Sequence, residues 1–468
     1  MATPASQPPL SGAPKRKPPG RFRRPSRAPR IRSLGLPPRP ARPGRRFAIG
    51  AAALVLVAAG GAAGWAINDA TESETVPSAP APPVFRSPDA PPAEVAEELG
   101  FPEFATRNTT RIAGPDATAI AAATALAVRP STGGVEGPAA VAVVDLADWA
   151  TALAATSLAA DPIGIPLLLS SHDQVPGFTA DAISELGPRG SAATHQAQIY
   201  RIGDVAVPSG YKVVDVNGEG SAELAASIDK LRGRLSVRHP EHIVIVGSSH
   251  PEYGLPAGGW SALSGDAILL SDQKKLPKPT ADALARHPDV PVYVLASPND
   301  VSDDVLKEIG KGREITERIT GPGPVSSAIS FARYSDDATD FGWDINFPGH
   351  GFVVLNLGRP SDAAAAAGLS GSGAPGPTLL TDSPTEIPQP LQEFLLDNQP
   401  GFENDPTKAL FNHLWVIGDS GAISVDFQAQ ADALLNLTRI STGSGEPDFL
   451  GPKPGTPEHE HSSAKKSR

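Results

Sequence analysis

The stretch Arg111-Ile112-Ala113-Gly114 decides the fold, because it returns twice further along the chain in altered form. The later versions are Asp215-Val216-Asn217-Gly218 and Arg318-Ile319-Thr320-Gly321, so the three glycines are separated by 104 and 103 residues. A helix-forming run follows each glycine, at residues 119–127, 222–228 and 325–332. Recurrence at a nearly fixed interval predicts three copies of one structural unit.

Each copy continues with three short apolar runs that are rich in β-branched residues. They lie at residues 141–144, 165–170 and 199–203, then 242–246, 267–271 and 292–296, then 352–355, 377–381 and 414–418. Short runs that are apolar throughout are typical of buried parallel strands. Helical segments separate these runs, which predicts right-handed βαβ units. We therefore predict an α/β fold of three similar open parallel-sheet repeats of Rossmann-like type.

Several motifs in this order carry a resemblance to a known family. The first copy has Arg111-Ile112-Ala113-Gly114, a small-residue helix at 148–160 and the strand Ile165-Pro166-Leu167-Leu168-Leu169. The third copy ends with Trp415-Val416-Ile417-Gly418, followed by Ala422-Ile423-Ser424. The set resembles the cell-wall-binding repeat type 2 family of Gram-positive surface proteins, whose members carry the repeat in triplets. The resemblance extends over residues 107–440.

The resemblance implies an arrangement and a ligand. Its members place three copies in a pseudo-threefold arrangement, with grooves between them that hold an anionic secondary cell-wall polymer without a covalent bond. The family's D-R-Y-x-T motif after the first glycine is reduced here to Asp116 and Thr118, which affects the expected ligand more than the expected fold. The preference for Arg over Lys and the high Ala content are typical of actinobacteria.

Arginines are the candidate polymer-binding residues, because a guanidinium can hold phosphate or carboxylate through two parallel hydrogen bonds. Four stand in an Arg-Ile dipeptide and the fifth follows a predicted strand: Arg111, Arg201, Arg318, Arg439 and Arg359. The alternative is that they form structural ion pairs between copies. Trp149 and Trp260 stand at matching points of the first two copies, where they either pack in the core or stack on a sugar ring.

Residues 47–67 are the predicted membrane anchor. These 21 residues carry no charge, and the segment is long enough to cross a bilayer core of about 30 Å. Arg45 and Arg46 precede it, so the preference of basic residues for the inner side predicts a cytoplasmic N-terminus and extracytoplasmic copies at the cell wall. We expect a single-pass signal anchor, and a cleaved signal peptide is the alternative.

This organisation divides the chain into seven parts. They are a disordered basic Pro/Arg-rich segment at 1–46, the transmembrane anchor at 47–67, a Pro-rich linker at 68–106, repeats at 107–210, 211–314 and 315–440, and a disordered tail at 441–468. An insertion around residues 397–407 lengthens the third repeat.

Charge and composition exclude several function classes. Residues 1–46 hold thirteen Lys and Arg and no acidic residue, which leaves 27 basic and 51 acidic residues, a net charge of −24, in the remainder. The acidic part of the chain that follows residue 46 is not expected to bind nucleic acid. The chain has no cysteine, which excludes a disulfide scaffold, a thiolate zinc site and a cysteine nucleophile.

Motifs that resemble catalytic or cofactor sites are interpreted as structural. Gly418-Asp419-Ser420-Gly421 resembles a serine nucleophile motif, but it follows a predicted parallel strand and is interpreted as a turn. The loops at Gly218 and Gly321 lack the third glycine of a dinucleotide fingerprint. Asp116 and Glu219 are interpreted as helix caps. We expect no cofactor and no metal site.

The leading functional hypothesis is a non-catalytic, membrane-tethered envelope protein. Its three repeats would bind a cell-wall polymer, either a secondary glycopolymer or peptidoglycan. The alternative is an envelope scaffold or regulator that binds another protein, which the acidic exterior and the tryptophans fit equally well. An enzyme is the least expected class, because no copy shows a convergent acid, base and nucleophile.

Overall fold

The computed structural model describes residues 105–129, 137–236, 239–313 and 316–440. No helix within these ranges is long and apolar enough to cross a membrane. The predicted anchor at 47–67 lies outside the described residues, as do the segment 1–46, nearly all of the linker and the tail at 441–468.

Copy 1 contains four strands and three helices. They are β1 (Thr109–Ile112), α1 (Ala117–Val128), β2 (Val141–Asp145), α2 (Trp149–Ala155), β3 (Leu167–Ser170), α3 (Gly177–Leu186) and β4 (Ile199–Ile202). Helix α1 begins at Asp116, whose Oδ1 accepts hydrogen bonds from the backbone N–H groups of Thr118 and Ala119 at 2.8 and 3.1 Å. Asp116 is therefore the helix cap that the sequence predicted.

Copy 2 repeats this order with one more helix. Its elements are β5 (Val213–Val216), α4 (Ser221–Leu235), β6 (Ile243–Gly247), α5 (Ala257–Ser264), β7 (Ala267–Ser271), α6 (Lys278–Arg286), β8 (Val292–Leu295) and α7 (Asp303–Ile309). The prediction that Glu219 caps α4 was wrong. Gly220 is the N-cap residue, and the backbone N–H of Glu219 instead donates to Glu223 Oε2 at 3.1 Å.

Copy 3 is the longest. Its elements are β9 (Thr316–Arg318), α8 (Pro324–Arg333), β10 (Gly351–Asn356), α9 (Ser361–Ser370), β11 (Thr378–Thr381), α10 (Gln389–Asp397), β12 (Gly401–Phe402), β13 (His413–Ile417), α11 (Val425–Leu434) and β14 (Thr438–Arg439). The predicted insertion contains β12, which pairs in parallel with β14 in a separate two-stranded sheet.

The remaining strands form three four-stranded parallel sheets with one common order. The orders are β3-β2-β4-β5, β7-β6-β8-β9 and β11-β10-β13-β1. The last strand of each sheet comes from another copy, since β5 opens copy 2, β9 opens copy 3 and β1 opens copy 1. The recurring stretch therefore connects each copy to the one before it, and β1 joins copy 1 to copy 3.

The recurring glycine stands where the chain passes from one sheet to a helix of the next. A Cβ atom at Gly114, Gly218 or Gly321 would lie 2.9, 2.8 or 2.7 Å from an atom of the following helix. Separations this short leave no room for a side chain, so close packing of strand and helix requires glycine at all three positions.

Three helices rich in small residues, α2, α5 and α9, come from different copies and pack against one another. A Cβ at Gly258 would lie 2.7 Å from Leu153 Cδ1, and one at Gly259 would lie 2.6 Å from Ser370 Oγ. The alanines at 363–367 are buried in the same region. Small side chains therefore allow the close approach of the copies, at the density of a protein interior.

Between α8 and β10, the chain of copy 3 packs against copy 2. Phe341 stacks on Tyr293 with ring centroids 3.7 Å apart. His242 is buried, with Nδ1 2.9 Å from Asp266 Oδ2 and Nε2 2.9 Å from the carbonyl oxygen of Thr339. Both partners are acceptors, so both bonds require an imidazolium. Burial alone would lower the pKa of His242, but the hydrogen bond to Asp266 and its charge raise it above the usual value.

Candidate functional site

The carboxyl ends of the strands offer a candidate site in each sheet. The second strand of each copy, β2, β6 or β10, lies between the two strands that follow it along the chain in that sheet. From this strand the chain runs to the neighbour on one side and then crosses back to the neighbour on the other side. Such a switch point opens a crevice at the carboxyl ends of the strands, where ligands of open α/β sheets bind. We name these the crevices of copies 1, 2 and 3.

One position recurs in all three crevices. The third residue after the end of β2, β6 and β10 is Asp148, His250 and Arg359, respectively. All three side chains are polar and each contacts a polar group of a neighbouring loop or helix, so this position is the common element of the candidate sites.

Arg359 forms a charged cluster in the crevice of copy 3. Its Nε lies 2.8 Å from Asp362 Oδ2, and its Nη1 lies 3.6 Å from Asp419 Oδ1. Asp362 is buried, and burial raises its pKa to about 6 although the adjacent Arg359 guanidinium acts in the opposite direction. Arg359 is 23% exposed, so it is the candidate arginine of this crevice that remains accessible to a ligand.

Arg111, in β1, approaches the same turn from the interior. Only 1% of it is exposed, and its Nη1 donates to the carbonyl oxygens of Gly418 and Asp419 at 2.7 and 3.0 Å. Its Nε donates to Gln428 Oε1 at 3.0 Å. The structure thus brings Arg111 and Arg359 to one turn, and the contacts of Arg111 join copy 1 to copy 3.

Arg318, in β9, makes the equivalent contacts one sheet earlier. Its Nη1 donates to the carbonyl oxygen of Ala296 at 3.0 Å and its Nη2 to that of Val301 at 2.7 Å. Nη2 also lies 3.2 Å from Asp303 Oδ1. These contacts join copy 3 to copy 2, which agrees with the structural alternative for the recurrent arginines.

Arg201 does not match Arg111 and Arg318, although the dipeptide is the same. It lies in β4 and pairs in register with Asp215 of β5, which occupies the place of the recurrent arginine. Arg201 Nε lies 2.7 Å from Asp215 Oδ1, and both side chains are partly exposed. Arg201 therefore does not hold the position that Arg111 and Arg318 share.

Arg439 lies in β14 and outside the three crevices. Its side chain is exposed, and Nε donates to the carbonyl oxygen of Glu403 at 3.4 Å, within copy 3.

The two tryptophans do not occupy matching points. Trp149 is the first residue of α2 and is partly exposed, whereas Trp260 is the fourth residue of α5 and is 6% exposed. Trp260 Nε1 donates to Asp266 Oδ2 at 2.8 Å, and its ring lies 4.9 Å from that of Phe341. Its burial fits core packing, the first of the two interpretations.

The crevice of copy 1 is lined by carboxylates. Asp148 Oδ1 accepts hydrogen bonds from the backbone N–H of Thr151 at 3.0 Å and from Ser221 Oγ of copy 2 at 2.9 Å. At the same edge, His172 Nδ1 lies 3.0 Å from the carbonyl oxygen of Asp204. The contact with that carbonyl is the main cause that raises the pKa of His172, and the charges of the nearby carboxylates raise it further.

The crevice of copy 2 contains a histidine and an aspartate that the sequence did not single out. His250 Nδ1 lies 2.6 Å from Asp300 Oδ1, and Ser297 Oγ donates to Asp300 Oδ2 at 2.7 Å. The imidazole is 60% exposed, whereas the Asp300 side chain is 2% exposed. Alignment of the copies on the ends of their second strands would have revealed His250 beside Asp148 and Arg359.

The Gly418-Asp419-Ser420-Gly421 stretch forms a turn. Asp419 Oδ1 accepts hydrogen bonds from the backbone N–H groups of Gly421 and Ala422 at 3.1 and 2.9 Å. Across the described ranges, no group of three or more His, Asp or Glu residues has the arrangement of a metal site.

The chain is similar in fold to two solved cell wall proteins of Clostridium difficile. Cwp8 and Cwp6 each match 70% of this chain with a TM-score of 0.53, at sequence identities of 18% and 16%. The matches span 52% and 48% of those chains, about half of each. No model of a known protein family matches this chain, and no curated protein matches its sequence. The likeness is consistent with the cell-wall-binding repeat fold predicted from the motifs.

Proposed function

We propose that this protein associates with the bacterial cell wall and that its three copies bind a wall polymer. The observation that carries the proposal is the likeness in fold to two cell wall proteins over 70% of the chain. The repeat motifs support it independently, because they resemble a wall-binding family without reference to any structure. A polymer with repeating chemical groups can engage several copies at once, which strengthens overall binding.

The crevices are the proposed contact points. Arg359 and His250 are partly exposed there, and Asp148 occupies the equivalent position in copy 1. Arg111 and Arg318 direct their donors to backbone carbonyls, so their proposed role is to hold the crevice walls together. Arg201, Arg439, Trp149 and Trp260 have lower priority as polymer contacts.

The proposed role is binding rather than catalysis. The Ser420 turn follows a parallel strand, and Asp419 in that turn accepts hydrogen bonds from the backbone that follows it. A serine nucleophile needs a positioned base and an orienting acid. The proposal would fail if purified protein hydrolysed wall material in proportion to its concentration.

Membrane tethering through residues 47–67 is a separate part of the proposal, and the sequence supports it. The uncharged segment follows a basic leader, which predicts a cytoplasmic N-terminus. A periplasm-specific or surface-specific reporter fused after Arg468 should be active in cells, whereas activity of a cytoplasm-specific reporter at that position would contradict the tether.

A second candidate function is binding of an envelope protein, and one observation favours it. Phe347, Leu410 and Phe411 are 52%, 57% and 52% exposed just before β10 and β13. A Cβ at Gly349 would lie 3.2 Å from Leu410 Cδ1, so the two loops lie side by side. Exposed apolar groups of this kind are typical of protein contact surfaces.

Co-sedimentation separates the two functions. The full-length protein in mild detergent is mixed with purified walls from which all protein has been removed, and in parallel with complete envelope lysate. Retention on the protein-free walls supports polymer binding. Retention that appears only with lysate, and disappears in a Phe411→Ser variant, supports the protein partner instead.

A further inference from the structure

We propose that the crevice of copy 2 binds hydroxyl groups of a neutral sugar, with His250 Nε2 as the acceptor and Asp300 as the residue that positions it. This inference rests on the proposed wall association and adds the chemical class of the group that is bound. It differs from the anionic ligand that the sequence resemblance implies.

The geometry sets which nitrogen of the His250 ring carries a hydrogen. An ionised carboxylate can only accept, so the 2.6 Å contact between Asp300 Oδ1 and His250 Nδ1 requires the hydrogen on Nδ1. In the neutral ring, Nε2 then carries a lone pair, and it meets no partner among the residues that the structure describes. A hydroxyl group is a suitable donor to this nitrogen.

The pair is preorganised. Asp300 is 2% exposed and its second oxygen accepts from Ser297 Oγ, so the carboxylate is held on both sides. A Cβ at Gly247 would lie 2.8 Å from Asp300 Cβ, so the end of β6 has a glycine where the aspartate approaches. A side chain held in this way loses little entropy when it binds a ligand.

The equivalent residues in the other copies are engaged within the protein. Asp148 accepts from Thr151 and Ser221, and Arg359 is paired with Asp362 and Asp419. His250 therefore has the recurring position but presents a binding atom to solvent.

The free nitrogen of His250 and the carboxylates beside it disfavour an anionic ligand. Asp272 follows β7 at the same edge and accepts from Ser248 Oγ at 2.7 Å, and Asp300 stands behind the imidazole. Arg318 is near Asp300 but is engaged with backbone carbonyls and Asp303. An ionised phosphate or carboxylate has no hydrogen to donate to the Nε2 lone pair, and Asp272 and Asp300 repel it. The exposed Lys274 and Lys275 of the same loop act in the opposite direction. Imidazole and carboxylate acceptors together suit neighbouring hydroxyls.

The test measures retention of the full-length protein on three preparations of protein-free walls. One preparation is untreated, one is treated with hydrofluoric acid to remove phosphodiester-linked anionic polymer, and one is oxidised with periodate, which cleaves vicinal diols. We expect wild-type retention to survive hydrofluoric acid and to fall after periodate. On untreated walls, His250→Ala should weaken retention about five- to tenfold, the loss of one hydrogen bond.

Matched variants keep the test independent of folding. His250→Gln retains a planar acceptor and should recover part of the retention. His239→Ala removes an exposed histidine that lies before β6, at the end of the strand opposite the crevice, and should leave retention unchanged. His250→Ala takes one hydrogen bond from the buried Asp300 carboxylate, so we expect its Tm to fall by about 1–4 °C, and retention is compared at a temperature at which both proteins are folded.

The outcomes separate this inference from the proposed function. Wild-type protein that is not retained on any wall preparation contradicts wall association itself. Retention that is lost after hydrofluoric acid, or that is equal for His250→Ala and wild type, overturns the neutral-sugar assignment while leaving wall association in place. A His239→Ala variant that is as weak as His250→Ala also overturns it.

Discussion

Replacement of Arg111 by Gln should destabilise the folded region that the three copies form, because Arg111 joins copy 1 to copy 3. Arg111 is 1% exposed, and its guanidinium donates to the carbonyl oxygens of Gly418, Asp419 and Ser424. Glutamine is shorter and uncharged, and one amide can replace at most part of this set. At least two buried acceptors would lose a charged donor.

The magnitude follows from those acceptors. A buried acceptor that loses its partner costs about 1–3 kcal/mol, so we expect a loss of about 3 kcal/mol. For one cooperative unit of roughly 330 residues this corresponds to a fall in Tm of about 4 °C. Arg201→Gln is the matched control, because its pair with Asp215 is partly exposed and should contribute at most about 1 kcal/mol.

Differential scanning calorimetry of the wild type and both variants measures the effect, with wall retention determined on the same samples at low and high salt. We expect a clear fall in Tm for Arg111→Gln and a small one for Arg201→Gln. Below the melting temperature, Arg111→Gln should be retained on walls as well as the wild type is. If Arg111→Gln melts with the wild type but loses salt-sensitive retention, its guanidinium binds the polymer and the structural interpretation is refuted.

Gly259→Val should lower Tm by several degrees, because the new side chain would collide with Ser370 where helices of two copies meet; a melting curve equal to wild type would contradict that packing. His242→Gln should remove stability that is fully present below a pH of about 6.5 and is lost as pH rises through the raised pKa of the folded protein, so Tm of the variant and wild type should converge at alkaline pH. Asp362→Asn should abolish the stability that the wild type gains as pH falls through about 6, since its folded state binds that proton more tightly than its unfolded state; parallel Tm curves from pH 7.5 to 4.5 would refute this.

The three strands that follow the recurring stretch in each copy were predictable from sequence, because each is a short and largely buried apolar run. The predicted run 267–271 is β7 itself, and 141–144 differs from β2 by one residue. The exchange of strands between copies was not predictable from these runs. Periodicity reports that a strand is buried, but not which sheet contains it, and β1 pairs with β13, about 300 positions away. The pseudo-threefold arrangement and the repeat bounds stay predictions.

The candidate site was less predictable than the fold. Arg111 and Arg318 were identified because they recur, but recurrence reflected their contacts with backbone carbonyls as the copies join. His250 was missed because its equivalents are an aspartate and an arginine, so a search for one repeated residue type passes over the position. Asp300 could not be found from local sequence, because its partner lies 50 residues earlier.

Wall association through the three copies is tested most directly by a binding isotherm of the full-length protein on purified, protein-free walls. We predict saturable binding that soluble polymer released from the same walls competes away. Binding that stays linear with protein concentration, is unaffected by that competitor, or requires envelope protein would contradict the proposed function.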